Sequence, residues 1–325
     1  MPYPLRYIPQ EALRWVDEQG RKYAIVEITI RALQGRYLLL PTEKTTSLIL
    51  GVLGRAQALL DFPLFGYAYL SNHGSILVGV RGVEHQAQIM DFVHGNIARE
   101  LGRKENIDWP GRFWDHRGRP IPVLGDEDLE QRLKYLLSNS TKENLVERPT
   151  RWPGAHCARA LSEGKSDSGL WIDRTSLGRL QRKCKDGERP SEKTAITYYD
   201  VELSKLPTCE HMSDEEYREY VKGLCREVTE EAAAERKRTG ARVLGKAKIL
   251  RRSPHYRPDR MDRSPAPPVH CSDRAYKERF LAAYREFVAA YRAAFAALRA
   301  GIVTFAFPDG GVPPGCHWCP KTDTG

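Results

Sequence analysis

The chain has 325 residues, a hydrophobic fraction of 41% and a formal net charge of +9. That much apolar content excludes a disordered chain and is enough for one large core or two smaller ones. The cationic surplus points to a polyanionic partner, either nucleic acid or an acidic membrane surface. No run of about 18 apolar residues exists, so no membrane span is expected. The N-terminus has no apolar run of the signal-peptide kind. The seven cysteines are scattered and odd in number, which suits a reducing cytoplasm better than a disulfide framework.

Residues 1–20 read as an extended arm, held out of helix by Pro2, Pro4 and Pro9. Residues 22–31 read as a strand, because Val26, Ile28 and Ile30 alternate with period two. A helix over 43–60 follows, with Thr42 or Thr45 as its cap and Leu48, Val52, Ala56 and Leu59 at helical spacing. Strands at 64–70 and 75–80 are joined by Ser71-Asn72-His73-Gly74, which is turn chemistry. A helix over 84–102 carries Ile89, Phe92, Val93, Ile97 and Leu101 on one side. The tryptophan-rich piece 109–124 ends in the short apolar IPVL. A helix over 126–138 then opens with Asp126, Glu127 and Asp128 at its positive end. The order β-α-β-β-α-β-α predicts an α+β fold of ferredoxin-like plan, an antiparallel sheet with helices on one face.

Beyond about 155 the texture changes. Residues 160–210 are polar and read as irregular. A mainly helical region follows. Ser213 and Glu216 form a capping box for a helix over 213–238, and a second long helix over 272–300 has Phe280, Tyr284, Phe287, Val288, Tyr291 and Phe295 at three-to-four spacing. That aromatic stripe reads as a packing face. Between them, residues 236–263 hold eleven Lys or Arg and two acids. Proline and Tyr256 interrupt that stretch, which suits either an extended chain on a phosphate backbone, with Arg251 and Arg252 among its contacts, or a solvated linker. Cys316-His317-Trp318-Cys319 has the spacing of half a zinc site, with no second pair nearby.

Two stretches carry candidate chemistry. If the third strand begins at His73, then His73 and Ser75 share one face. On the helix over 126–138, Leu129, Leu133, Leu136 and Leu137 form one stripe. Tyr135 and Asn139 lie near ~240° and ~280° from Leu129, turned away from it. Arg132 shares their side. Taken alone, these residues fit a surface tyrosine.

FGYAYLSNHGSILVG, at 65–79, resembles the histidine-bearing strand of the REP-associated tyrosine transposases, single-tyrosine members of the HUH endonuclease superfamily. RFWDHRGRPI, LKYLLSNSTKENLV and RPTRWPGAHC resemble three further blocks of that family, in the family's order, so the likeness covers about residues 20–160. The resemblance implies a nucleophile at Tyr135, attacking single-stranded DNA to leave a 5′-phosphotyrosine. It implies a Mg²⁺ or Mn²⁺ site at His73, Asn139 and the position of Ser75. It implies DNA contacts from Arg132, Arg112 and Arg117, a single-stranded or hairpin DNA partner from a repeated palindromic element, and a homodimer. A phenol with a pKa of about 10 is a weak nucleophile at neutral pH, so the metal matters.

The departure lies at Ser75, where the family has its second histidine, and at Gly74, where it has a bulky apolar residue. A serine hydroxyl is a poor neutral ligand for a divalent ion. Two readings therefore stand: a transposase-like nuclease, or a catalytically impaired DNA-binding or regulatory protein. A third is an interaction protein without DNA. Residues 1–155 are expected to form the transposase-like domain and 156–325 a helical, basic accessory region.

Overall fold

The computed structural model describes residues 7–183, 190–258, 267–302 and 306–311. The Cys316 and Cys319 pair lies outside them.

The central sheet grows from one strand. β1 (Trp15–Val16) is a short piece of the N-terminal arm, and β2 (Lys22–Arg31) is the strand expected from the alternation. α1 (Glu43–Leu60) starts at Thr42, whose hydroxyl accepts from the Thr45 amide at 3.1 Å. β3 (Leu64–Tyr69) and β4 (His73–Val80) form the hairpin, followed by α2 (Val83–Leu101), β5 (Arg119–Pro122) and α3 (Asp126–Lys142). The neighbours run β5-β2-β4-β3, all antiparallel, with β1 also on β2. The result is a mixed α and β architecture around an antiparallel sheet.

The turn is shorter than the sequence suggests. The Leu70 amide bonds the His73 carbonyl at 2.8 Å, which confines the turn to Ser71 and Asn72. His73 and Gly74 belong to β4, so His73 and Ser75 do share a face. Gly74 fits because a Cβ there would run into the ring of Tyr69.

Both faces of the sheet are covered, which corrects the expectation of helices on one face. Gly66 of β3 looks at Leu133 and Leu136 of α3, the nearest neighbours of a Cβ built on it. Its face also holds Ala68, Leu77, Ser75, Thr29 and Glu27 by register. Tyr67 points the other way and donates to Asp167 of β6 (Asp167–Ile172). β6 in turn lies on α1, where Gly51 and Gly169 let the two backbones meet. α1 and α2 pack on each other on that side.

Residues 160–210 are not irregular. α4 (Ala158–Glu163) and α5 (Arg174–Lys183) flank a two-stranded ribbon of β6 and β7 (Ile196–Val201), paired over six positions. The ribbon is only half-buried, so it lacks the apolar alternation that marks a core strand. α6 (Asp214–Thr239) has the expected capping box and stops at Gly240, φ +71°. α7 (Lys246–Leu250) is a single turn in the basic stretch, and α8 (Arg274–Arg299) buries Phe280, Phe287 and Tyr291. The buried side chains of Tyr217, Val221, Val269 and Phe280 are continuous with those of the sheet. The four described cysteines are free and buried. No described helix is long and apolar enough to cross a membrane.

Candidate functional site

The face of the sheet under α3 is built from the second phase of β2. Its first phase, Val26, Ile28 and Ile30, is apolar, whereas the other phase runs Tyr23, Ile25, Glu27, Thr29, Arg31. Pairing aligns these with β4: Arg31 opposes His73, Thr29 opposes Ser75 and Glu27 opposes Leu77. On the far side, Arg119 of β5 opposes Thr29. His156, beside β3, opposes Ala68 and extends the row of Ser75 to the sheet edge. A polar band thus crosses the middle of an otherwise apolar sheet.

His73 is half-buried, and desolvation, with the charge of Arg31 beside it, pushes its pKa down to about 4. Its Nδ1 donates to Asn72 Oδ1 at 2.8 Å, which leaves Nε2 with its lone pair. Ser75 is buried at 3% exposure. Asn139 is buried at 4%, and its Nδ2 has no hydrogen-bond partner. The open face predicted for Asn139 is therefore corrected. On the helical wheel it stands only ~60° from Leu136, close enough to be covered once α3 lies on the sheet.

Tyr135 remains open, at 37% exposure. Arg132 lies 4.9 Å and Lys142 5.3 Å from its ring centre. Partial burial raises the phenol above its ordinary pKa and Glu27 adds to that, while Arg132 and Arg31 act in the opposite direction. The phenol is thus neutral near pH 7, a poor nucleophile without further help.

The centre of this face is Glu27, 2% exposed, with Oε1 unpartnered. His270 Nε2 lies 2.8 Å from its Oε2, and Arg132 Nη1 lies 3.8 Å away. His270 arrives from the C-terminal half. Its amide bonds the Pro122 carbonyl at 2.9 Å, and Ser272 bonds Asp128 at the start of α3. The strand alternation contained the signal for Glu27 and Arg31: polar residues on one phase of a core strand. No local pattern announces His270, because its place depends on a contact between distant parts of the chain.

Of the other expected DNA contacts, Arg112, Arg117, Arg251 and Arg252 are all exposed. Arg112 bonds the Asp115 carbonyl at 2.6 Å within the 109–118 loop, and Arg252 lies 5.2 Å over Tyr256. The loop that carries Arg112 and Arg117 meets the end of β2, where the Asp115 amide bonds the Arg31 carbonyl at 2.9 Å.

The side chains expected to hold Mg²⁺ or Mn²⁺ do not fit such an ion well. His73, Ser75 and Asn139 are all neutral, and hard divalent cations favour carboxylate oxygens. Glu27 is the carboxylate of this face: His270 and Arg132 lie beside its Oε2, and its Oε1 has no partner. Among the described residues no group of three or more His, Cys, Asp or Glu could hold a metal ion. The orphaned Asn139 Nδ2 shows that this carboxamide is not satisfied by the fold alone.

No family model and no curated protein matches the chain. Among solved structures, a REP-associated tyrosine transposase bound to a REP hairpin aligns at a TM-score of 0.35 and 15% identity, covering 46% of this chain and 87% of that one. A similarity this slight does not establish a shared fold.

Proposed function

We propose that the chain binds single-stranded or hairpin DNA through the α3 face, as a relative of the tyrosine transposases with a reduced metal site. The observation that carries this reading is the cationic setting of a half-open tyrosine: Arg132 and Lys142 both lie over the Tyr135 ring, at 4.9 and 5.3 Å from its centre. Phosphate contacts of this kind supply most of the affinity of a DNA-binding surface. The strand order β5-β2-β4-β3 suits the ferredoxin-like plan of that family. Residues 1–155 carry the tyrosine, and residues 156–325 act as an accessory region that lends His270 to the same face.

The retained Tyr135 leaves room for cleavage, but a neutral phenol beside neutral donors favours binding over cutting. The test uses labelled hairpin DNA with Mn²⁺. The wild type is expected to bind in a salt-sensitive manner and to form no covalent adduct. Ser75→His restores one donor, and any adduct it forms should vanish when Tyr135→Phe is added. A wild-type adduct lost in Tyr135→Phe would establish cleavage instead. Absence of salt-sensitive binding would reject DNA as the partner.

A further inference from the structure

A second surface begins one residue beyond Arg31. The Ala32 amide bonds the Asn72 carbonyl at 2.8 Å, and Ala32 bridges to Trp114, so the loops after β2 and before β5 meet the β3–β4 turn there. The basic segment from the C-terminal half docks on this corner. The Tyr37 amide bonds the Tyr256 carbonyl at 3.3 Å, and Arg36 Nη1 donates to the His255 carbonyl at 2.6 Å.

Docking brings four rings together. Tyr37 and Tyr256 lie 5.1 Å apart and Trp109 and His255 lie 5.7 Å apart, both pairs tilted. Arg36 sits 5.2 Å over Trp109, and Arg252 sits 5.2 Å over Tyr256. Residues 242–258 add six Lys or Arg and no acid. Tyr256 stays 36% exposed although a tyrosine and an arginine already touch it, and His255 is exposed.

We propose that this corner is a stacking platform for single-stranded DNA, in which Trp109, His255 and Tyr256 take unpaired bases and Arg36 and Arg252 take phosphates. Aromatic faces interleaved with cations hold single strands with little regard to sequence, whereas a duplex offers its bases only edge-on. The platform begins next to Arg31 and would take the same class of ligand as the Tyr135 face, an unpaired DNA strand. It therefore rests on the DNA reading above and deepens it.

The test measures binding of the full chain, by fluorescence anisotropy, to labelled oligothymidylate and to a blunt hairpin with no unpaired flank, with oligouridylate RNA of equal length as a competitor. Two variants are compared with wild type: His255→Ala with Tyr256→Ala, and Tyr256→Leu, which leaves the docking bonds to the backbone in place and keeps an apolar side chain against Tyr37. Oligothymidylate affinity should fall roughly tenfold or more in the first variant, and clearly in the second, while hairpin affinity holds. Unchanged oligothymidylate binding in both variants would overturn the platform, as would equal loss on the two ligands or a preference for oligouridylate RNA. A wild type that binds the hairpin but not oligothymidylate rejects the platform alone. One that binds neither rejects the DNA reading as well.

Discussion

The two faces of the sheet come from the same strands and have opposite characters. On one, Val26, Ile28, Ile76 and Val78 are all within 1% of full burial, under α1 and α2. On the other, Glu27, Thr29, Arg31, His73 and Ser75 form a polar band beneath α3. Burying a polar group without a partner costs free energy that an apolar residue would not. Yet Glu27 Oε1 and Asn139 Nδ2 are both buried without one. The apolar face is organised for stability, and the polar face carries groups whose placement stability does not account for.

Mutations on the two faces should separate these roles. Ile28→Ala opens a cavity under the helices and should cost about 2–5 kcal/mol in urea unfolding. Glu27→Ala should cost less, about 1–3 kcal/mol, since its Oε1 has no hydrogen bond to lose and Arg132 stays partly solvated. An equal or greater loss at Glu27 would mean that the polar face is held for stability, and would break the contrast. Gly74→Val should cost about 1–3 kcal/mol, because Tyr69 must move to admit the side chain. If the loss in the double variant Gly74→Val with Tyr69→Ala is smaller than the sum of the two single losses, the pair is one packing unit.

Acid provides the next comparison. His94 is pushed down to about 3 and His156 to about 4 by burial, and His73 and His85 also to about 4. An unfolded histidine titrates near ~6.5. The unfolded chain therefore binds more protons below that pH, and stability is complete above it and falls as the pH drops toward 4. Each such histidine contributes a slope of up to about 1.4 kcal/mol per pH unit in that window. His73→Gln should flatten the profile measured by urea midpoints between pH 7 and pH 5. An unchanged profile would mean that His73 titrates normally. The smallest effect is expected at Asn139. Its amide nitrogen has no hydrogen bond to lose, so Asn139→Ala should cost under about 1 kcal/mol, while any loss of DNA affinity would then report function alone.

Much of the first half is legible in the sequence alone. The alternation of Val26, Ile28 and Ile30 placed β2, the leucine stripe placed α3, and Ser213 with Glu216 placed the start of α6. These signals are local, since periodicity and capping depend on residues a few positions apart. The ribbon of β6 and β7 leaves no local mark, because its burial comes from α1, to which it is joined only by tertiary contact. The burial of Asn139 is hidden for the same reason: a helical wheel gives angles but not how wide a stripe the sheet covers.

The sequence by itself determined which residues could do chemistry and which turns and helices would present them. It put Tyr135 and Asn139 one turn apart, put His73 beside Ser75, and left that serine where a second histidine would be needed. Only the tertiary structure decided that Glu27 and His270 meet under α3, and that the basic segment docks its rings on Tyr37 and Trp109. Those contacts join residues far apart in the chain, and the free energy that selects them is the burial of surfaces that do not exist until the sheet has formed.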